Sequence, residues 1–269
     1  MDRPERMPPD IDIEQPSAAR MYDYYLGGSH NFAADRAAAE VLIRAIPDVI
    51  PGVKANRAFL RRAVRFLTGR GITQFLDIGS GIPSVGNVHE VARAAVPGAR
   101  VAYVDIDPVA VAHAEEILAG DPGTVVVRED LRAPERMLDH PDVRRVLDLG
   151  QPVGVMLVAI LHFVGDAEDP AGLVARVMAS LPPGSYLTIS HGSSTVRPSK
   201  AKVGEDVYRN TATPLTLRDQ AQVTALFGGL PLVEPGLVWA PEWHPDSAEE
   251  VGTDPGAGGI LVGMAVKPG

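Results

Sequence analysis

The stretch Gln74-Phe75-Leu76-Asp77-Ile78-Gly79-Ser80-Gly81-Ile82-Pro83 constrains this chain more than any other. A short apolar run delivers an acidic residue and then a Gly-x-Gly turn. The run reads as a parallel strand buried on both faces, which requires helices above and below it. Gly79 and Gly81 let the backbone turn tightly and come close to a ligand. Asp77 lies two residues before the first glycine, inside the end of the strand. A pyrophosphate over such a turn is repelled by a carboxylate there and wants a helix N-terminus instead. The position suits a cationic ligand better than an anionic one.

The local pattern leaves an ordinary strand-to-helix turn open, because the third glycine position of a dinucleotide fingerprint is Ser84. The next segment favours the ligand reading. Val101-Ala102-Tyr103-Val104-Asp105 is a second apolar run ending on a carboxylate, and Val85 to Ala95 between them carries helical spacing. Right-handed crossover sets the two strands side by side. Asp105 then stands at a strand's carboxyl end, where a carboxylate accepts ribose hydroxyls. Asp107, followed by Pro108, is assigned to capping the next helix.

A ligand with ribose and positive charge but no phosphate fits S-adenosylmethionine, whose amino acid end carries an ammonium and whose sulfur is cationic. At this point the chain resembles class I methyltransferases. More narrowly it resembles an actinobacterial family of S-adenosylmethionine-dependent methyltransferases formerly known only as a domain of unknown function. The signposts are Ser17-Ala18-Ala19-Arg20-Met21-Tyr22-Asp23-Tyr24-Tyr25-Leu26-Gly27-Gly28, Asn31-Phe32-Ala33-Ala34-Asp35-Arg36, Asn56-Arg57-Ala58-Phe59-Leu60-Arg61-Arg62, Gly86-Asn87-Val88-His89-Glu90-Val91, Gly184 to His191 and Val233 to Val238. Pro83 departs from the general class pattern, in which a third glycine often stands there.

The resemblance implies an α/β, Rossmann-like sheet of seven strands in the order 3-2-1-4-5-7-6, the seventh antiparallel, with helices on both faces. It also implies S-adenosyl-L-methionine as cofactor. The candidate cofactor residues are Asp77, Gly79, Ser80, Gly81, Asp105, Ile106, Asp130, Leu131, Ala159, Tyr22 and Asn31. Asp130 is carried over from the class position that meets the adenine amino group, and a turn or helix cap reads equally well there. Tyr22 and Asn31 belong to an N-terminal cluster of tyrosines and glycines expected to form a lid; tyrosines packed on the core are its other reading.

Ligands of an open α/β sheet bind where strand order reverses, which puts Ala159 to His162 across from Gly79. His162, and less directly His191, are the candidates for taking a proton from an acceptor. Each also reads as a histidine hydrogen-bonded within the sheet's mouth. Methyl transfer by in-line displacement needs positioning and exclusion of water, so no catalytic residue is required. Arg57, Arg61 and Arg65 recur every four residues and are expected on a solvated helix face.

Residues 1–16 are expected to be a mobile tail, 17–53 a helical lid or extension, and 54–269 the cofactor-binding domain. Ser17 and Asp35 are read as helix caps, 198–213 as the substrate-selecting segment, and 252–259 as a flexible loop. The chain has no cysteine, which excludes disulfides, thiolate metal sites and cysteine nucleophiles. No spacing of its seven histidines matches a metal site. A net charge of −9 argues against a nucleic-acid substrate and leaves a small-molecule acceptor. With no leader pattern and no apolar run long enough for a bilayer, the reading places the chain in the cytoplasm, away from membranes.

Three other functions share parts of this pattern. A nicotinamide-dependent oxidoreductase shares the first two strands and conflicts with Asp77 and Ser84. A serine hydrolase is suggested by Ser190-His191-Gly192, which lacks the first glycine of a nucleophile elbow. A non-catalytic S-adenosylmethionine sensor or interaction protein would show the same binding residues.

Overall fold

The computed structural model describes residues 12–83, 86–195, 198–209 and 211–269. Most of the expected tail (1–11), Ser84 and Val85, and residues 196–197 lie outside the described residues.

Three helices come first: α1 (Ala18–Tyr25), α2 (Ala33–Ala45) and α3 (Val49–Gly69). Strand and helix then alternate through β1 (Gln74–Ile78), α4 (Val88–Ala95), β2 (Arg100–Asp105), α5 (Pro108–Ile117) and β3 (Thr124–Arg128). Two short helices, α6 (Pro134–Leu138) and α7 (Pro141–Val146), lead to β4 (Gly154–Val158), α8 (Pro170–Ala179) and β5 (Tyr186–Gly192). The chain ends with α9 (Pro198–Tyr208), α10 (Gln220–Ala225), β6 (Val238–Trp239), α11 (Ala248–Val251) and β7 (Ile260–Val266). The sheet has the expected order 3-2-1-4-5-7-6, with β7 antiparallel to both its neighbours.

Alternation along each strand decides what lies on each side of the sheet. Leu76, Ile78, Ala102, Val104, Val155 and Leu157 face one core, shared with Met137, Val143, Leu173 and Val177 of α6, α7 and α8. Phe75, Val101, Tyr103 and Met156 face the other, shared with Phe59, Leu60, Ala63, Val64 and Leu67 of α3 and with Val88 and Ala92 of α4. By the same parity, Asp77 and Asp105 belong to the α3 side. A third, smaller core of Met21, Tyr25, Ala39, Leu42, Val53 and Tyr208 joins α1 and α2 to α3 and α9.

Several local expectations change. Asp35 is not the cap of α2 but stands in its first turn, fully buried. It accepts the N–H groups of Phe32 (2.8 Å) and Ser17 (2.9 Å) and pairs with Arg20 Nε at 2.9 Å, so it ties α1 to α2. The Ser17 side chain does not cap α1; its hydroxyl bonds Asp107 instead. Asp107 caps α5 as expected, accepting from Val109 N–H at 2.8 Å. Residues 12–16 are held against α1 and the segment after α9: Arg20 donates to the Gln15 carbonyl, and Ala212 N–H to the Pro16 carbonyl. Residues 198–208 form a helix where a segment without assigned structure was expected. The glycine-rich 252–259 segment packs against α3. A Cβ on Gly52 would stand 2.7 Å from the Gly258 carbonyl oxygen, so two backbones meet there without side chains.

Candidate active site

A cavity of about 550 Å³ opens over the carboxyl ends of β1, β2 and β4, within the roughly 300–1,000 Å³ typical of small-molecule sites. The sheet forms its floor, and α1, α2, the start of α3 and α9 form its roof. Gly79 and Gly81 take φ of +72° and +65°, which a side chain would strain. Gly79 is also crowded: a Cβ there would lie 2.6 Å from the Ile160 side chain. Gly79 N–H donates to the Val104 carbonyl over 2.7 Å, and Gly81 N–H to Asp105 Oδ2 over 2.7 Å. The turn after β1 is thereby fastened to the end of β2.

Asp77 is 6% exposed, lines the cavity and accepts no hydrogen bond from the described residues. Burial pushes its carboxyl up to about 7; the Arg57 guanidinium partly offsets this and Asp105 adds to it. Asp105 is pushed up to about 6, again by burial, and is held back by the backbone N–H groups of Asp107 and Gly81. Two buried carboxyls poised near neutrality mark a place where charge is to be received. A carboxylate has about four lone-pair sites, so Asp105 can still accept from a ligand.

Arg57 corrects the solvated-face expectation. It lines the cavity, donates to Asn87 Oδ1 at 3.0 Å and leaves its Nε buried without a partner. Arg65, by contrast, pairs outside with Asp246 at 2.5 Å. The every-fourth-residue stripe was legible, but only tertiary placement brings its first member over the end of β1.

Of the other candidates, Ser80, Ile106, Ala159 and Tyr22 line the cavity. Ala159 takes a left-handed φ of 60° and donates its N–H to Ser190 Oγ at 2.8 Å. Tyr22 accepts at its hydroxyl from Asn56 Nδ2 at 2.9 Å. Asn31 lies outside the lining, donating to Asp23 Oδ2 of α1 at 2.8 Å. Asp130 and Leu131 are outside it as well. Asp130 pairs with Arg132 at 3.3 Å, and Leu131 is buried in the core beneath the sheet. Arg128, at the end of β3, lines the cavity in their place.

His162 lines the cavity, and its Nδ1 accepts from Gly192 N–H at 3.2 Å. The ring proton therefore sits on Nε2. Burial, with His191 and Arg218 nearby, holds His162 well below the usual histidine range, so the ring is neutral and offers a donor. His191 is buried away from the cavity between the Gly192 carbonyl (2.7 Å) and Arg218 (2.9 Å). Arg218 also binds the Leu161 and Val164 carbonyls, so this pair braces the loop after β4. Ser190, the suggested elbow nucleophile, is fully buried within β5. Among the described residues no cluster of three or more metal-binding side chains occurs, and no helix is long and apolar enough to cross a membrane.

Two solved structures share nearly the whole architecture. A protein from Thermobifida fusca named as a candidate methyltransferase superposes with a TM-score of 0.91 at 40% identity, covering 97% of this chain and 98% of its own. A DUF574 family protein from Streptomyces avermitilis gives 0.91 at 39%, covering 96% and 99%. The N-methyltransferase NodS from Bradyrhizobium japonicum, solved with S-adenosyl-L-homocysteine, shares the fold at 14% identity and a TM-score of 0.51, covering 81% of this chain and 89% of its own. No curated protein matches the chain. The family model described as S-adenosyl methyltransferase matches residues 4–268. On that match over almost its full length, the chain belongs to the S-adenosyl methyltransferase family and is a methyltransferase that uses S-adenosyl-L-methionine.

Proposed function

We propose that the protein transfers a methyl group from S-adenosylmethionine to an oxygen or nitrogen of a small-molecule acceptor, by in-line displacement under the lid of residues 17–53. The observation that carries the site assignment is Asp77: a buried carboxylate facing a cavity, pushed to about 7, with no donor from the described residues. Such a group is stabilised by a cation, which the ammonium of the amino acid end supplies. Arg57, with its Nε unpartnered beside it, suits the carboxylate of the same end. Asp105 suits the ribose hydroxyls. Among the described residues the first helix after the glycine turn starts at Val88, at a remove from the turn where pyrophosphate sites place an adjoining helix N-terminus.

S-adenosylmethionine, when bound, would be held by Asp77, Arg57 and Asp105 at the charged end of the cavity and would supply a methyl group on a cationic sulfur. The chain's own part is to hold the two partners in line and to exclude water. Asp35, Arg20 and Ser17 hold the lid to the sheet's mouth, and His162 Nε2–H orients a lone pair on the acceptor.

Calorimetric titration with S-adenosylmethionine, S-adenosylhomocysteine and NAD tests the site. Micromolar binding of the first two with none of NAD is expected. Binding of NAD alone would overturn the reading of Asp77.

A further inference from the structure

The cavity is larger than its charged end requires, and its two ends differ in chemistry. Its charged lining groups stand on the segment 12–23, around the glycine turn, and at the ends of β2 and β3, with Arg57 above β1. The end away from them is walled by α2, the start of α3, α9 and the strap that follows α9. Leu42, Ile46, Val53, Phe163, Tyr208 and Leu215 line it, and among the described residues no charged side chain lies on α2, on α9 or in 212–217 along that wall. Phe163 and Tyr208 stand with ring centroids 5.5 Å apart at 48°, and His162 meets Phe163 edge-on at 4.4 Å. Flat groups are thus arrayed at angles around one space, the arrangement that receives another ring by stacking or edge contact.

One polar atom in this wall is unsatisfied. Thr213 Oγ1 is buried and makes no hydrogen bond, whereas the hydroxyls of Tyr25 and Tyr208 are hydrogen-bonding neighbours. A buried hydroxyl left alone costs on the order of 1–3 kcal/mol, so Thr213 calls for a polar group from outside the chain. With the neutral His162 Nε2–H on the opposite side, the chamber offers donors and acceptors of hydrogen bonds to an uncharged group, and apolar and aromatic surface to everything else.

We infer that this end of the cavity is the acceptor chamber, and that it takes an uncharged, ring-bearing molecule carrying a hydroxyl or a neutral amine. The inference rests on the reading that the charged end takes the cofactor. It assigns Thr213 and His162 to the acceptor's polar atom and Phe163 and Tyr208 to its ring. A nucleic acid, a peptide carboxylate or an ammonium acceptor meets no counter-charge along the described wall, and desolvating such a charge there is costly.

The test uses the full chain saturated with S-adenosylhomocysteine and three probes of one size: 1-naphthol, 1-naphthoate and 1-naphthylmethylamine. Calorimetry is expected to show 1-naphthol binding at one site per chain, at least tenfold tighter than the anion or the cation. Ala201→Trp, on the half-buried lining face of α9, fills the chamber; it is expected to weaken 1-naphthol at least tenfold and to leave S-adenosylhomocysteine affinity within twofold. Equal or tighter binding of either charged probe, no binding of 1-naphthol, or an unchanged 1-naphthol affinity in Ala201→Trp would each overturn the inference. Failure of S-adenosylhomocysteine to bind the wild-type chain would count against the cofactor reading instead, and the three titrations would then be run on the free protein, where they still read the chamber.

Discussion

Gly81 N–H donates to Asp105 Oδ2 across 2.7 Å, joining the turn after β1 to the end of the neighbouring strand, 24 residues further along the chain. Asp105 also accepts from Asp107 N–H at 2.8 Å. One carboxylate therefore fixes both loops that border the cavity over β1 and β2. Asp105→Ala is expected to weaken S-adenosylhomocysteine binding by roughly 1–3 kcal/mol. Asp105→Asn keeps one accepting oxygen and should lose less. Calorimetry on the two variants checks the order, and equal affinity to wild type in both would remove Asp105 from the site.

Asp77 makes cofactor binding depend on pH. Its folded value of about 7 lies above the ordinary 3.8, so the folded chain holds a proton that the unfolded chain has already released between those values. The stability this contributes is fully present below about pH 4 and is lost as pH rises through about 7. A cationic ligand needs the ionised form, so affinity should rise by up to about tenfold per pH unit below 7 and level off above it. Affinity measured from pH 5.5 to 8.5 reads this directly, and Asp77→Asn should flatten both the affinity profile and the dependence of Tm on pH.

Arg57 acts on the same end of the ligand in two ways. Its charge lowers the Asp77 carboxyl, so Arg57→Met should move the midpoint of the affinity profile upwards. Losing a charge-assisted bond to the ligand's carboxylate should also cost about ten- to hundredfold in S-adenosylhomocysteine affinity, from the roughly 1.5–3 kcal/mol such bonds contribute. The nucleoside 5′-methylthioadenosine lacks the amino acid end and should bind both forms equally. A parallel loss for both ligands would mean that Arg57 only holds Asn87 and the Gly86 carbonyl in place.

Gly52 and Gly258 bring α3 and the segment before β7 into backbone contact. Gly52→Ala would put a methyl group 2.7 Å from the Gly258 carbonyl oxygen, where neither partner can rotate away. Overpacking of this kind costs about 1–3 kcal/mol, and the upper part of that range is expected. Chemical denaturation gives the loss, while Gly98→Ala, where nothing lies within 4 Å, is the comparison with little effect.

The sheet was legible because its strands are short apolar runs bounded by Gly, Pro and Asp: β1, β2 and β7 fall where their residues place them. Strand order came with the family resemblance, since periodicity carries no information about neighbours. Asp107 was legible as a cap because its partners are two and three residues away. Asp35 was not, since its partners Ser17 and Arg20 are 18 and 15 residues distant. Asp130 read equally well as a ligand contact carried over from the class and as a local turn residue, and in the structure it accepts the N–H of Arg132, two residues on, and pairs with that side chain. The missed helices α6 and α7 each begin on a proline, Pro134 and Pro141, a start signal visible in the sequence. Arg57 had no sequence signal beyond its stripe, because a helical period shows which residues share a face and not what that face covers.

The parity of the strands divides this molecule by how freely it can change. Asp77 and Asp105 share the odd-numbered face with α3, while Leu76, Ile78, Ala102 and Val104 on the even-numbered face of β1 and β2 belong to an apolar core, several of whose members come from α6, α7 and α8. Volume-conserving exchanges among Leu76, Val104, Val143 and Leu173 can drift for long periods without touching the chemistry. Selection for a new acceptor, by contrast, works on the roof and on the loop after β4 that carries His162 and Phe163, and leaves the half of the protein beneath the sheet as inherited ballast.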